Sequence, residues 1–300
     1  MNPKIKLFLV FALLWFVFIG IAYAIVYALL FTGYIIGDSF YMYTLLVMIP
    51  ILLLFNIVTY FFSDKMVLAA YNARIVDESS APRLAKVVRR VAERFNLPMP
   101  RLAIVPSRTP NAFATGRDPE HAVVAVTEGN MDILTDDELE GVIGHEMAHV
   151  YDRDILLMSV VASAAAIISI AARIAFYQMI FGRRDTRVNP LVLLAAAITA
   201  PIAAMLVQLA ISRNREYKAD MVGAKTTMKP LALARALSKL ETNNIRDPMR
   251  MQGQNPAHAS LFIVNPFRGG GFASIFSTHP PIKERIRRLQ TMASREGYLQ

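Results

Sequence analysis

Four stretches of this chain lack the polar interruptions that mark a water-facing element. A membrane-crossing helix needs about 20 mostly apolar residues. Ile5–Phe31, Phe40–Phe62, Ile155–Phe181 and Leu191–Ile211 each meet that requirement. The first is far longer than a signal-peptide core of about 7–15 residues, and no small-residue cleavage site with a polar chain behind it follows. The remaining material, Ser63–Asp154 and Ser212–Gln300, carries the polar positions. Together these two pieces make about 180 residues, the size of one ordinary domain. The pattern predicts a membrane hairpin over 1–62, the first part of a folded domain over 63–154, a second hairpin over 155–211 and the rest of the domain over 212–300.

The polar pieces show mixed periodicity. In "APRLAKVVRRVAERFN", Leu84, Val87, Val88, Val91 and Phe95 fall on one helical face. "RLAIVPS" and "HAVVAVTEG" read as short strands, with "NAFATG" between them. "TDDELEGVIGHEMAHVYD" opens on Thr135, a good helix cap, with acidic residues in the first turn. No proline lies between Thr135 and Phe181, so one helix is expected to run from the folded domain into the third apolar segment. The stretch from Asn243 to Thr278 is rich in Gly, Asn and Pro and reads as a long mobile loop. "PPIKERIRRLQTMASREG" reads as a terminal surface helix. The fold class expected is therefore four transmembrane helices plus an α+β domain split by the second membrane hairpin.

Composition sharpens this picture. The chain has 300 residues, 55% of them hydrophobic, above the 45–50% or so of a soluble domain. There is no cysteine, which removes thiolate metal sites, disulfides and cysteine nucleophiles. The net charge is +9, but no basic run is interleaved with aromatics, so nucleic acid is not expected as a partner. Basic residues beside an anionic bilayer explain the charge. Lys4 and Lys6 stand at the start of the first apolar segment, and the loop after it carries no Lys or Arg. By the positive-inside rule this places the folded domain in the cytoplasm. The turn at Arg183–Arg187 disagrees. Either the first hairpin sets the orientation, which is the favoured option, or the third and fourth segments do not cross fully.

The chemistry lies in "VIGHEMAHVYDRD". His145 and His149 stand four apart, on one face of a helix. Glu146 stands beside the first, placed to take a proton from an attacking water. This is the His-Glu-x-x-His pattern of zinc peptidases. Catalytic zinc takes three protein ligands and keeps one position open. Glu216, in "ISRNREYKADMVGAK", is the candidate third ligand. Counted from the membrane ends of the two helices at about 1.5 Å per residue, Glu216 stands level with His149 and Asp220 with His145. Two antiparallel helices would bring all four together, with the membrane hairpin as the clamp. Asp220 suits the role of orienting a ligand histidine. The competing reading is a solvated charged face with Arg213, Arg215 and Lys218; the height match favours convergence. His121 and His258 have no supporting pattern and read as surface histidines.

"GHEMAHVYDRD", "SRNREYKADMVGA", "NAFATG" and "STHPPIKERIRRL" occur in the order seen in HtpX-type membrane zinc metallopeptidases, relatives of the CAAX prenyl-protein endopeptidases, and the chain resembles them along its whole length. The long first apolar segment and the arginine-rich turn depart from the pattern. The resemblance implies a zincin-like (gluzincin) core on a prokaryotic inner membrane, multi-pass and facing the cytoplasm, with one Zn2+ per chain. It implies His145, His149 and Glu216 as ligands and Glu146 as catalytic base. Misfolded or damaged membrane proteins and unfolded polypeptides are the implied substrates, and the lipid bilayer the implied partner. "NAFATG" resembles an edge strand on which Asn111 and Ala112 hold a substrate backbone. His279 is a candidate oxyanion donor, a zinc plug in a latent state, or a cap of the last helix. The glycines at Gly269–Gly271 suggest a lid. A CAAX-type prenyl protease and a zinc-stabilised scaffold or holdase are the alternative functions.

Overall fold

The computed structural model describes residues 60–156, 213–246 and 280–297, with isolated residues 12, 54, 57, 58, 158, 160 and 263. The bulk of the four apolar segments, Arg183–Arg187, His258, Gly269–Gly271 and His279 lie outside the described residues. Among the described residues, no helix is long and apolar enough to cross a membrane.

The described chain begins in helix α1 (60–70), followed by strand β1 (Arg74–Val76). Helix α2 (Pro82–Phe95) starts with Pro in its first turn, where the missing N–H costs nothing. It buries Leu84, Val87, Val88, Val91 and Phe95, the stripe that the periodicity predicts, and stops at Asn96 in the left-handed conformation. Strands β2 (Arg101–Val105), β3 (Ala112–Thr115) and β4 (Val123–Thr127) complete a four-stranded sheet in the order β1-β2-β4-β3. β2 and β4 run parallel; the two outer strands run antiparallel to their neighbours. β3 is therefore an edge strand.

The sheet separates two apolar layers by its period of two. Leu102, Ala112, Ala114, Val124 and Val126 face the main core with α2. Ala103, Val105, Phe113, Val123 and Ala125 face a smaller cluster with Val67, Leu68 and Tyr71 from α1 and the turn after it.

After β4 come a short helix, α3 (Glu128–Ile133), and helix α4 (Asp136–Tyr151). Thr135 and Glu138 form a reciprocal capping box at the start of α4, satisfying two backbone N–H groups. From Glu138 to Val150 every residue of α4 is buried. Around it pack α2, β3, α5 (Arg213–Thr227) and α6 (Pro230–Arg246), with α7 (Ile282–Glu296) against α5 and α6.

Three sequence expectations need correction. α4 does not continue unbroken: a turn at Asp152 and Arg153 follows it, with Arg153 at φ +59°. Absence of proline does not prevent a break when the following residue, Asp154, is drawn back into the core. α6 continues to Arg246, so the loop predicted from Asn243 starts later; Asn243 Nδ2 donates to the Lys239 carbonyl one helical turn back. The terminal helix is more than a surface element, because Arg285, Leu289 and Ala293 are buried.

Candidate metal centre

The central helix delivers His145, Glu146 and His149 into the core, and α5 crosses it in the opposite direction with Glu216 and Asp220. The crossing depends on two glycines. A β-carbon on Gly223 would lie 2.6 Å from the Gly144 carbonyl carbon and 2.7 Å from the His145 nitrogen. With hydrogen there instead, the two backbones touch directly, one residue before the first histidine.

His145 Nε2 lies 3.7 Å from Glu216 Oε2, and His149 Nε2 lies 3.5 Å from Glu216 Oε1. One ligand atom from each of the three residues falls within 4.8 Å of the others. The imidazole rings meet edge to face with centroids 4.9 Å apart. Two imidazoles and a carboxylate converging on one point form the donor set that suits zinc.

Behind the donors stands a layer of charge. Asp220 Oδ1 lies 2.9 Å from His145 Nδ1, which directs the other ring nitrogen, Nε2, toward Glu216. Asp154 stands 3.9 Å from His149 Nδ1 on the corresponding side. Arg285, wholly buried, holds Asp220 with two hydrogen bonds, Nε to Oδ2 at 2.7 Å and Nη2 to Oδ1 at 2.6 Å. Its Nη1 donates to the Ile263 carbonyl at 2.7 Å and lies 3.9 Å from Glu216. Around the site four carboxylates, Glu146, Glu216, Asp220 and Asp154, face two guanidinium groups, Arg285 and Arg215. With Glu146 ionised, a formal excess of two negative charges would remain, which a divalent cation would neutralise.

The protonation equilibria follow from this crowding. Burial is the largest influence on Glu146 and pushes it up to about 8; His149 opposes the rise and the Glu216 charge adds to it. Burial lowers His145 and outweighs the support of Asp220. Burial also pulls on His149, but Asp154, Glu216 and Glu146 together raise it. Burial disfavours the Asp220 charge, yet Arg285 and His145 overcome it and bring Asp220 to about 2. Asp220 is thus a fixed anion beside His145.

The edge strand closes the site. Ala114 N–H donates to Glu146 Oε2 at 2.9 Å, tying the carboxylate to β3. Asn111 is buried, its Oδ1 accepting from the Ala112 N–H at 3.1 Å. The Ala112 carbonyl accepts from the Ile263 N–H at 3.3 Å. His121 is exposed and paired with Asp118 in the short 3-10 turn at Pro119–His121, and it is not among the grouped ligand residues.

The structure thus gathers His145, Glu146, His149, Glu216 and Asp220 at one point, with Ala112 on the neighbouring strand. Sequence reasoning missed Arg285, Asp154 and the Gly144–Gly223 crossing. Arg285 hides in the charged run "KERIRR". Its spacing of four from Leu289 and of eight from Ala293 is the signal that places it on the buried face.

Comparison with known proteins adds four findings. The model of peptidase family M48 matches residues 78–293. A protein from Thermococcus kodakarensis described as "Protease HtpX homolog" is 55% identical over 247 residues, covering 81% of this chain and 84% of its own. One of the same description from Pyrococcus furiosus is 49% identical over 270 residues, covering 89% and 92%. The crystal structure of S. mikatae Ste24p aligns with a TM-score of 0.50 at 17% identity. That alignment covers 90% of this chain and 62% of that one, and the likeness is one of fold.

Proposed function

The chain belongs to peptidase family M48 and is a metalloprotease, and from that premise we propose that it is a membrane-embedded zinc endopeptidase. Its substrates in this reading are misfolded or damaged membrane proteins and unfolded polypeptides, cut on the cytoplasmic side of a prokaryotic cell membrane. The observation that carries it is the meeting of His145, His149 and Glu216 within 4.8 Å, with Glu146 one residue from the first ligand. One zinc ion per chain fits this donor set and the surplus of negative charge around it.

When bound, zinc polarises a carbonyl and brings the pKa of water from 15.7 toward about 7. The protein's own residues do the rest. Glu146 takes the proton of the attacking water and hands it to the leaving amine. Its Oε2 is held by Ala114 N–H, which leaves Oε1 to exchange the proton. Asp220, anchored by Arg285, keeps the His145 ring turned toward the ligand cluster. The substrate backbone adds to the outer edge of β3 through main-chain hydrogen bonds, beside Asn111 and Ala112. His279, outside the described residues, stays in this proposal as a candidate oxyanion donor.

Membrane residence is supported by the helix that enters the domain. Leu54, Ile57, Val58, Phe61 and Phe62 recur at helical spacing and are all exposed, an apolar stripe with a cost in water and none in lipid. Lys65 and Arg117 cap its end by standing over the Phe62 and Phe61 rings, as cations do at a lipid–water boundary.

The test compares wild type with Glu146→Gln in detergent, on a membrane-protein substrate and on self-cleavage. The substitution keeps the donor set and removes the base. Zinc binding should persist while hydrolysis stops. Cleavage at the wild-type rate would remove Glu146 from its role.

A further inference from the structure

His149 has a backing of its own, drawn from both polar pieces of the chain. Its Nε2 lies 3.5 Å from Glu216 Oε1, so the ring proton belongs on Nδ1 when Nε2 serves as a ligand. The carboxylate oxygen facing Nδ1 is Asp154 Oδ2 at 3.9 Å, and the other oxygen, Oδ1, stands 3.7 Å from Arg215 Nη1. Asp154 is the last residue of the first polar piece; Arg215 lies near the start of the second and adjoins Glu216. The backbone bends to make this meeting. A helix continuing through Asp154 would carry it about 140° around the axis from His149. Instead α4 ends with the Arg153 N–H on the Val150 carbonyl at 3.1 Å and with Arg153 in the left-handed conformation at φ +59°, which a residue with a β-carbon adopts at a cost. That turn brings the Asp154 side chain back into the core.

A second ion pair joins the same two helix ends and supplies a contrast. Lys218 Nζ lies 2.6 Å from Asp152, closer than Arg215 lies to Asp154, yet the Lys218 side chain is 53% exposed against 14% for Arg215. The tighter pair stands in solvent, where such contacts contribute little. The looser pair is buried, with one member against a ligand.

We propose that Asp154 is the positioning residue for His149 and that Arg215 acts through Asp154. The two polar pieces of the chain then fix the second ligand jointly, as Asp220 and Arg285 fix the first. The inference rests on the peptidase reading above. An anion beside Nδ1–H favours the tautomer whose Nε2 lone pair is free for a metal. The guanidinium keeps that anion from standing uncompensated in the core.

The test is competitive zinc titration of full-length, metal-depleted protein in detergent, at equal folded fraction by circular dichroism, with the absorption spectrum of the cobalt-loaded protein beside it. Asp154→Asn should bind zinc more weakly by about tenfold or more and shift the cobalt bands. Arg215→Met should lose affinity on its own but less than about twofold where Asp154→Asn is already present, because the two losses share one route. Arg215→Lys, which keeps the charge, should recover most of the Arg215→Met loss. Lys218→Gln should leave affinity and spectrum as they are. Wild-type affinity and spectrum in a folded Asp154→Asn protein overturn the proposal. Additive losses in the double variant show that Arg215 does not act through Asp154. Equal weakening by Lys218→Gln means a general tether between the helices and contradicts positioning. Where Asp154→Asn fails to fold, the arginine variants decide, and wild-type affinity in Arg215→Met sinks the idea. If the wild-type protein itself binds no zinc, the peptidase reading falls instead.

Discussion

Gly223 of α5 rests directly on the backbone of Gly144 of α4: a β-carbon at Gly223 would fall 2.6 Å from the Gly144 carbonyl carbon. This contact sets the distance between the helix that carries the histidine pair and the helix that carries Glu216. Backbone cannot yield as a flexible side chain can. Gly223→Ala should therefore push α5 outward, cost about 1–3 kcal/mol of stability and weaken zinc binding by about tenfold. Chemical denaturation and competitive zinc titration of the same protein read both effects. Wild-type zinc affinity in a stably folded Gly223→Ala protein would show that the crossing does not place the ligand.

Arg285 and Asp220 form a buried bidentate pair. Removing one partner leaves the other charge buried and uncompensated. Asp220→Leu should cost about 3–5 kcal/mol, and adding Arg285→Met should recover most of that loss. Neither protein should regain full zinc affinity, because both lack the acceptor at His145 Nδ1. Denaturant midpoints of the three proteins, with zinc titrations beside them, check the pattern.

The capping box at the head of α4 lies far along the helix from the ligands. Thr135→Ala should lower stability by about 1 kcal/mol and leave zinc affinity and kcat unchanged. Thermal unfolding and a peptide assay decide this together.

Glu138 gives the pH dependence a definite sign. Burial works against its charge, but Lys239 at 2.7 Å and the Thr135 backbone N–H outweigh it and hold the carboxyl below its ordinary value of 4.5. A carboxyl lowered in the folded state stabilises above its unfolded pKa and loses that contribution as pH falls through the folded value. The stability gap between wild type and Glu138→Gln should thus be full above about pH 4.5 and close on further acidification. Denaturant melts of chelator-treated protein across this range measure the gap.

Much of the site was legible because its signals are local. His145, Glu146 and His149 follow from spacing alone, and Thr135 from cap chemistry. Glu216 and Asp220 were legible only by counting residues along two helices. The pairing Glu216–His149 and Asp220–His145 is observed, although the turn at Asp152–Arg153 interrupts one of the helices along which the count was made. The glycine crossing is a contact between two backbones and leaves no periodicity to read. Arg285 was hidden because a buried arginine within a basic run looks like a solvated one; its helical spacing from Leu289 and Ala293 and its partner Asp220, 65 residues away, distinguish it. Asp154 was masked by the expectation of a continuous helix, which would have pointed its carboxylate away from His149. Strand β3 was read first as a link between strands, since Ala-Phe-Ala-Thr carries too little alternation to declare an edge.

The most direct measurement is zinc titration of Glu216→Gln beside wild type, at equal folded fraction by circular dichroism. Glu216 comes from the second piece of the folded domain and completes the histidine pair of the first. Wild type should bind one zinc per chain, and Glu216→Gln should bind it more weakly by about a hundredfold or more. Equal affinity and stoichiometry in the two proteins would mean that Glu216 is not a ligand and that the metal centre is not the one described.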